Sequence, residues 1–257
     1  MSIIMAIANQ KGGVGKTTCT YNFGISIASQ GNKCLFLDFD PQNNLGGSIA
    51  PEMVENPEYT SASCLHNAYN LFENPVKAKP FEVSENVHVI GGDKRMGNIT
   101  QSQILNVAES IDLIKDDYDY IFIDCPPAAN ALQHAALLVA SKLLIISQAQ
   151  KMSIKGVNEL VKTSRQIRRM NPDLEVLGIV LNLIEANITN DQREQEAELR
   201  KEYGNLVFEN KLIKTTRVSE ALNQGKALIE TNPKAADKFG FTAVCEELCK
   251  RMVEVTA

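Results

Sequence analysis

Residues 3–18 read Ile3-Ile4-Met5-Ala6-Ile7-Ala8-Asn9-Gln10-Lys11-Gly12-Gly13-Val14-Gly15-Lys16-Thr17-Thr18. An apolar run, a glycine-rich loop and a helical stretch that begins near Lys16 follow one another, which is the order required of a phosphate-binding loop. Glycines let backbone N–H groups close round phosphate oxygens, and the helix N-terminus adds favourable partial charge. In this pattern Lys16 reaches the β/γ-phosphates and Thr17 ligates Mg²⁺. The common spacing G-x-x-x-x-G-K-[ST] requires glycine at position 10, where Gln10 stands, and a lysine, Lys11, precedes the glycine pair instead. With Lys16 serving the chain's own nucleotide, the charge of Lys11 is available to a second phosphate set across an interface.

Outward from this loop, runs rich in Ile, Val, Leu and Phe recur at Ile3–Ala8, Cys34–Leu37, Val87–Ile90, Tyr120–Ile123, Leu143–Ser147 and Val176–Leu181, with helical stretches between them. Continuous rather than alternating apolarity means that both sheet faces are covered. The expected fold is α/β: a doubly wound, mainly parallel sheet with helices on both faces, of the P-loop NTPase type. Gly31 is the expected C-cap of the first helix, and Gly24 within it allows close packing on the sheet. Residues 43–80 weaken into Pro, Asn, Glu and Ser and read as a partly helical edge insertion in a single domain spanning residues 1–257.

Phosphoryl transfer needs Mg²⁺ held by carboxylate and hydroxyl groups and a residue that orients the attacking water. Two strand ends supply candidates, Asp38-Phe39-Asp40-Pro41-Gln42 and Asp124-Cys125-Pro126-Pro127. Carboxyl ends of parallel strands are where doubly wound folds place their ligands. Asp124 suits the Mg²⁺-linked acid. Asp38 and Asp40, two residues apart, face one side if the strand geometry persists, so that one can lie near the metal while the other holds water. A helix N-cap is the competing role for each.

The chain has 257 residues, 26 Lys+Arg against 31 Asp+Glu and 44% hydrophobic residues, which excludes disordered, collagenous and disulfide-scaffold classes. No uncharged apolar run is long enough to span a bilayer, and the N-terminus lacks the signal-peptide pattern, so the protein is expected to be cytoplasmic. Six scattered cysteines without a C-x-x-C pair fit reduced thiols. Cys245 and Cys249 are spaced to share a helix face. His66, His88 and His134 are isolated, and phosphoryl transfer assigns them no role.

These motifs closely resemble the deviant Walker ATPases of the ParA/Soj/MinD superfamily. The matching residues are Lys11 to Thr18, Asp38-Phe39-Asp40-Pro41-Gln42-Asn43, Asp124 to Pro127, and Arg217-Val218-Ser219-Glu220-Ala221 with Gly225-Lys226 and Ile229-Glu230. The resemblance implies ATP and Mg²⁺ as cofactors and an ATP-sandwich homodimer in which Lys11 crosses to the partner's nucleotide. It implies that Asp40 positions attacking water, Asp38 lies near Mg²⁺ and Asp124 is the Walker B acid. In the ParA branch it further implies binding to DNA without sequence preference, stimulation and release by a ParB-type adaptor, and with these a nucleoid-associated location; no membrane binding is expected, from the make-up of the C-terminal segment Phe241–Val255. The cargo is expected to be a plasmid or chromosome.

A DNA surface can be assembled from basic residues in an acidic chain. Between Lys142 and Arg169 seven bases (Lys142, Lys151, Lys155, Lys162, Arg165, Arg168, Arg169) accompany one acid, Glu159. Lys162, Arg165 and Arg169 share a helical face. The expected contacts are Arg217, where Soj-type proteins use an arginine, together with Lys214, Arg165 and Arg169. The family's Asp-Ala-Arg-Thr-like stretch is Glu185-Ala186-Asn187-Ile188-Thr189 here, so one DNA-contacting arginine is missing. The family's Pro-Arg is Ile213-Lys214. Asn182 is the candidate nucleobase contact, with capping as the alternative. The loop's position near Met1 leaves no room for the N-terminal helix-turn-helix of larger ParA proteins.

Three related classes compete. A MinD-type membrane cycler shares the phosphate motifs but ends in a basic amphipathic helix. Phe241–Val255 instead mixes Glu246, Glu247 and Glu254 with Lys250 and Arg251, and its apolar spacing at Phe241, Val244, Leu248 and Met252 reads as core packing. An iron–sulfur reductase needs cysteines displayed at the dimer interface, where Cys125 lacks the flanking glycines of that family. A tyrosine autokinase needs a C-terminal tyrosine cluster, and the last tyrosine is Tyr203. Positioning of a cargo other than DNA is a further variant.

Overall fold

The first strand, β1 (Ile3–Ala8), buries Ile4, Ala6 and Ala8 in one apolar cluster and Met5 and Ile7 in another. Alternate side chains leave a strand on opposite sides, so a strand with both sides apolar must be covered twice. The computed structural model describes residues 2–254. Among them the further strands are β2 (Cys34–Asp38), β3 (Phe81–Ser84), β4 (Val87–Ile90), β5 (Tyr120–Asp124), β6 (Lys142–Ser147) and β7 (Glu175–Leu181). They form one sheet in the order β3-β4-β2-β5-β1-β6-β7. Every neighbouring pair is parallel except β3 with β4.

The six apolar runs recognised in the sequence are these parallel strands, with limits that agree to within one residue. The seventh, β3, went unrecognised. It pairs antiparallel to β4 at the sheet edge, and Glu82, Val83 and Ser84 are exposed. An edge strand with one apolar anchor, Phe81, carries no buried run to betray it.

On one face lie α4 (Ala68–Glu73), α5 (Ile104–Asp112), α6 (Ala131–Val139) and α7 (Lys151–Ile167), with Leu71, Val107, Leu132 and Leu160 buried against β1, β2 and β5. On the other face lie α1 (Lys16–Ala28), α2 (Asn44–Ile49) and α3 (Pro51–Glu55). After α8 (Asn190–Tyr203), which anchors through Leu199, the chain returns to that second face as α9 (Arg217–Leu222), α10 (Leu228–Thr231), α11 (Pro233–Lys238) and α12 (Phe241–Glu254). Phe241, Val244, Leu248 and Met252 are all buried, as the spacing required for core packing. Val255, the last position of that expected segment, lies outside the described residues. Cys245 and Cys249 do share one side of α12 and interact. Gly24 lets α1 touch the sheet, since a Cβ there would fall on the Phe36 ring. Gly31, at φ 90°, ends the turn after α1 by donating its N–H to Ala28 O at 3.0 Å.

Candidate functional site

The carboxyl ends of β1, β2 and β5 lie side by side, with Asp38 opposite Asp124 and Asp124 opposite Ile7 in the ladder. The phosphate loop rises from this edge between β1 and α1. Gly13 (φ 72°) and Gly15 (φ 89°) hold left-handed conformations that turn the backbone sharply into the helix. Asn9 sets the base of the loop: its Nδ2 donates to Ile146 O at 2.7 Å, and its Oδ1 accepts from Lys11 N at 2.9 Å. Lys16 is buried, with Nζ 3.4 Å from Lys11 O. Burial lowers its pKa, opposed by the carboxylates of Asp124 and Asp40.

Thr17 Oγ1 donates to Asp124 Oδ2 at 2.5 Å, and Thr20 Oγ1 lies 3.0 Å from Lys16 O and 3.5 Å from Asp124 Oδ1. Burial raises the Asp124 pKa against the hydrogen bond from Thr17 and the charge of Lys16. A divalent cation here would relieve that penalty. Among the described residues no cluster of three or more His, Cys, Asp or Glu side chains could hold a metal by itself. The donor set fits Mg²⁺, which keeps water and phosphate oxygens and takes few protein ligands.

Asp38 is fully buried. Its Oδ1 accepts from Asp40 N at 2.9 Å, and its Oδ2 accepts from Leu45 N at 2.8 Å and Gly46 N at 3.1 Å. Burial and the neighbouring Asp124 charge raise its pKa. Asp40 has left the strand and is half-buried, with Oδ1 accepting from Gln42 N at 2.9 Å. Both Lys16 and Asp124 feel its charge. Asn182 is buried beneath the loop, where its Nδ2 donates to Val14 O at 2.8 Å and its Oδ1 accepts from Leu183 N at 2.8 Å.

The Lys11 side chain reaches across to the connection after β6 and the start of α7. Its Nζ donates to Gln150 Oε1 at 2.6 Å, Gln148 Oε1 at 3.1 Å and Ser153 Oγ at 3.3 Å. None of these three, nor Asn9 or Thr20, was singled out from the sequence. Only Thr20, one helical turn after Thr17, carried a local signal.

The expected basic surface divides. Lys142 is a correction: it is buried at the start of β6 and paired with Glu175 at 2.8 Å, because it opens a strand whose neighbour offers an acid in register. Arg165 is exposed in the last turn of α7, whereas Arg169 is exposed in the turn beyond the helix end at Ile167 and so does not continue the helical face of Lys162 and Arg165; Asn171 follows, its amide donating to Leu137 O and Ala140 O. That end precedes β7, opposite the phosphate loop. Arg217 is exposed at the start of α9, while Lys214 pairs with Glu185 at 2.8 Å. The structure therefore does not bring Arg165 and Arg169 together with Lys214 and Arg217.

A family profile described as an AAA domain matches residues 2–176. The chain is 29% identical over 255 residues to the sporulation initiation inhibitor protein Soj of Bacillus subtilis, covering 96% of this chain and 98% of that protein. It is 31% identical over 260 residues to the chromosome partitioning protein ParA of Myxococcus xanthus, covering 96% and 88%. In fold it is similar to a Cyanothece McdA variant solved in complex with ATP, with a TM-score of 0.82 at 21% identity over 98% and 96% of the two chains. With the phosphate loop and the two acidic strand ends in one site, the chain belongs to the ParA/MinD superfamily of deviant Walker A ATPases, as a partition ATPase of the ParA/Soj type.

Proposed function

We propose that this ATPase segregates DNA: its ATP-bound sandwich homodimer binds DNA without sequence preference, and a ParB-type adaptor stimulates hydrolysis and release. The observation that carries this reading is the attachment of the Arg217 segment to the helix of the phosphate loop. Tyr21 Oη donates to Gly225 O at 2.7 Å, and Asn22 Oδ1 accepts from Leu228 N at 2.8 Å. Two hydrogen bonds thus tie α1 to the connection that follows α9, at Gly225, and to the start of α10, at Leu228. Arg217 and Lys214 form the principal phosphate contact, and Arg165 and Arg169 engage a separate stretch of duplex. Full engagement of Lys214 releases it from Glu185. The cargo is a plasmid or chromosome, and the protein works in the cytoplasm on the nucleoid as a single ATPase domain.

The cofactors are ATP and Mg²⁺. Backbone N–H groups of Gly12, Gly13, Val14 and Gly15 surround the phosphates, with Lys16 on the β/γ-oxygens and Thr18 at the helix N-terminus. Thr17 and Asp124 would hold Mg²⁺, with Asp38 the second acid beside it. Held there, Mg²⁺ would supply positive charge to the phosphate oxygens during transfer. Asp40 orients the water that attacks the γ-phosphorus, and the bond to the ADP oxygen breaks. Lys16 and the partner subunit's Lys11 stabilise the negative charge that develops. Asn182 supports the loop through Val14 O and is the candidate contact for the nucleobase.

The test is binding of the purified protein to nonspecific duplex DNA and, in parallel, to anionic liposomes, with ATP, ADP or no nucleotide at two salt concentrations. ATP-dependent, salt-sensitive DNA binding without liposome binding is the expected result. Liposome binding without DNA binding replaces this reading with a MinD-type membrane cycle.

A further inference from the structure

We infer that Asn43, held by Tyr59 and Gly92, is a positioning residue for Asp40 in ATP hydrolysis. The inference rests on the reading of Asp40 as the acid that orients water. Residues Asp40 to Asn43 form a turn closed by Asn43 N donating to Asp40 O at 2.9 Å. Asn43 lies at φ 52°, ψ 40°, in the left-handed region. A short amide tolerates that conformation when its side chain finds partners.

It finds two. Asn43 Oδ1 accepts from Gly92 N at 2.7 Å, and its Nδ2 lies 3.4 Å from Tyr59 Oη. Tyr59 Oη in turn donates to Gly92 O at 2.7 Å. The Asp40 turn, Tyr59 sixteen residues beyond Asn43 and the exit from β4 at Gly92 thereby close on one another. Packing leaves them no slack. A Cβ on Gly92 would fall on Asp40 O, one on Gly91 on Tyr59 Oη, and one on Gly46 on Asn43 Oδ1. The opposite flank of the turn is fixed by the Asp38 carboxylate, which holds the N–H groups of Asp40, Leu45 and Gly46.

Asp40 is therefore gripped from both sides. Its carboxylate is itself held, Oδ1 accepting from Gln42 N at 2.9 Å, and its charge is felt by Lys16 and Asp124. A water-orienting group gains most of its effect from such placement, and a shift of about 1 Å can lower a rate about 10²-fold. Asn43 and Tyr59 touch none of the phosphate-binding residues, so their loss should impair hydrolysis and spare binding.

Steady-state ATP hydrolysis of the full chain, with nonspecific duplex DNA present, tests this in Asn43→Gly, Tyr59→Phe and Asp40→Ala. Asn43→Gly permits the left-handed backbone and removes the side chain with both of its hydrogen bonds. Expected is a fall in kcat of about tenfold for Asn43→Gly and about threefold for Tyr59→Phe, with KM for ATP and ATP-dependent dimerisation within about twofold of wild type. If Asn43→Gly fails to give a cooperative thermal melt, Tyr59→Phe decides alone. A kcat within about twofold of wild type while Asp40→Ala is inactive overturns the positioning role and leaves the Asp40 reading standing. Equal losses in kcat and ATP affinity also overturn it. Retained hydrolysis in Asp40→Ala overturns the Asp40 reading itself, and the positioning role with it.

Discussion

Gly15 shows how a single position meets two demands at once. Its φ of 89° is left-handed, and a Cβ on it would fall on the Asn182 amide that holds Val14 O. Gly15→Ala combines backbone strain with displacement of that amide. It should destabilise the protein by about 1–3 kcal/mol and abolish tight nucleotide binding, as checked by calorimetry and titration of a fluorescent ATP analogue. Lys16→Ala should abolish nucleotide binding, because it removes the charge that the phosphates need. Retained affinity would remove Lys16 from the site. Both residues were legible because a phosphate loop is built from neighbours in sequence. Asn182, whose contact is with a residue 168 positions away, was legible only as a polar residue ending a buried strand.

At the scale of elements, α1 and α12 show opposite sources of stability. Gly24 brings α1 against Phe36 and Phe122, and Gly24→Val would overpack that contact by about 1–3 kcal/mol. A fall in Tm of several degrees should follow, at roughly 2–4 °C per kcal/mol for a chain of this size. On α12, Glu247 accepts from Asn210 N at 2.9 Å, Glu209 N at 3.0 Å and Arg251 Nη2 at 2.8 Å. Burial raises its pKa, but these hydrogen bonds outweigh burial and hold it below its ordinary value of 4.5. The folded protein binds this proton less readily than the unfolded chain. The stabilisation is complete above the unfolded value and drains away as pH falls through the folded one. The Tm difference between wild type and Glu247→Gln should be largest near neutral pH and shrink steadily below about pH 4.5. A pH-independent difference would assign the effect to packing.

For the whole molecule the decisive quantities are charge placement and assembly. Arg217→Glu should lower DNA affinity and flatten its dependence on salt while sparing ATP binding, because each lost phosphate contact reduces the salt slope by about one. Unchanged affinity would remove Arg217 from the surface. Lys11→Ala should keep ATP binding and lose the ATP-dependent dimer, read by light scattering, since the Lys11 ammonium is held by Gln148, Gln150 and Ser153 and Lys16 serves the chain's own nucleotide. The sequence by itself determined the phosphate chemistry, the parallel strands and the buried side of α12. Loop geometry, strand burial and helix periodicity are all properties of residues near one another along the chain. Tertiary structure alone decided which distant charges meet. It buried Lys142 beside Glu175, paired Lys214 with Glu185, parted Arg165 and Arg169 from Arg217, and closed Tyr59 and Gly92 on Asn43. Those neighbours are set by strand order and by the path of the connections, and residues that become adjacent only through the sheet carry no local mark of it.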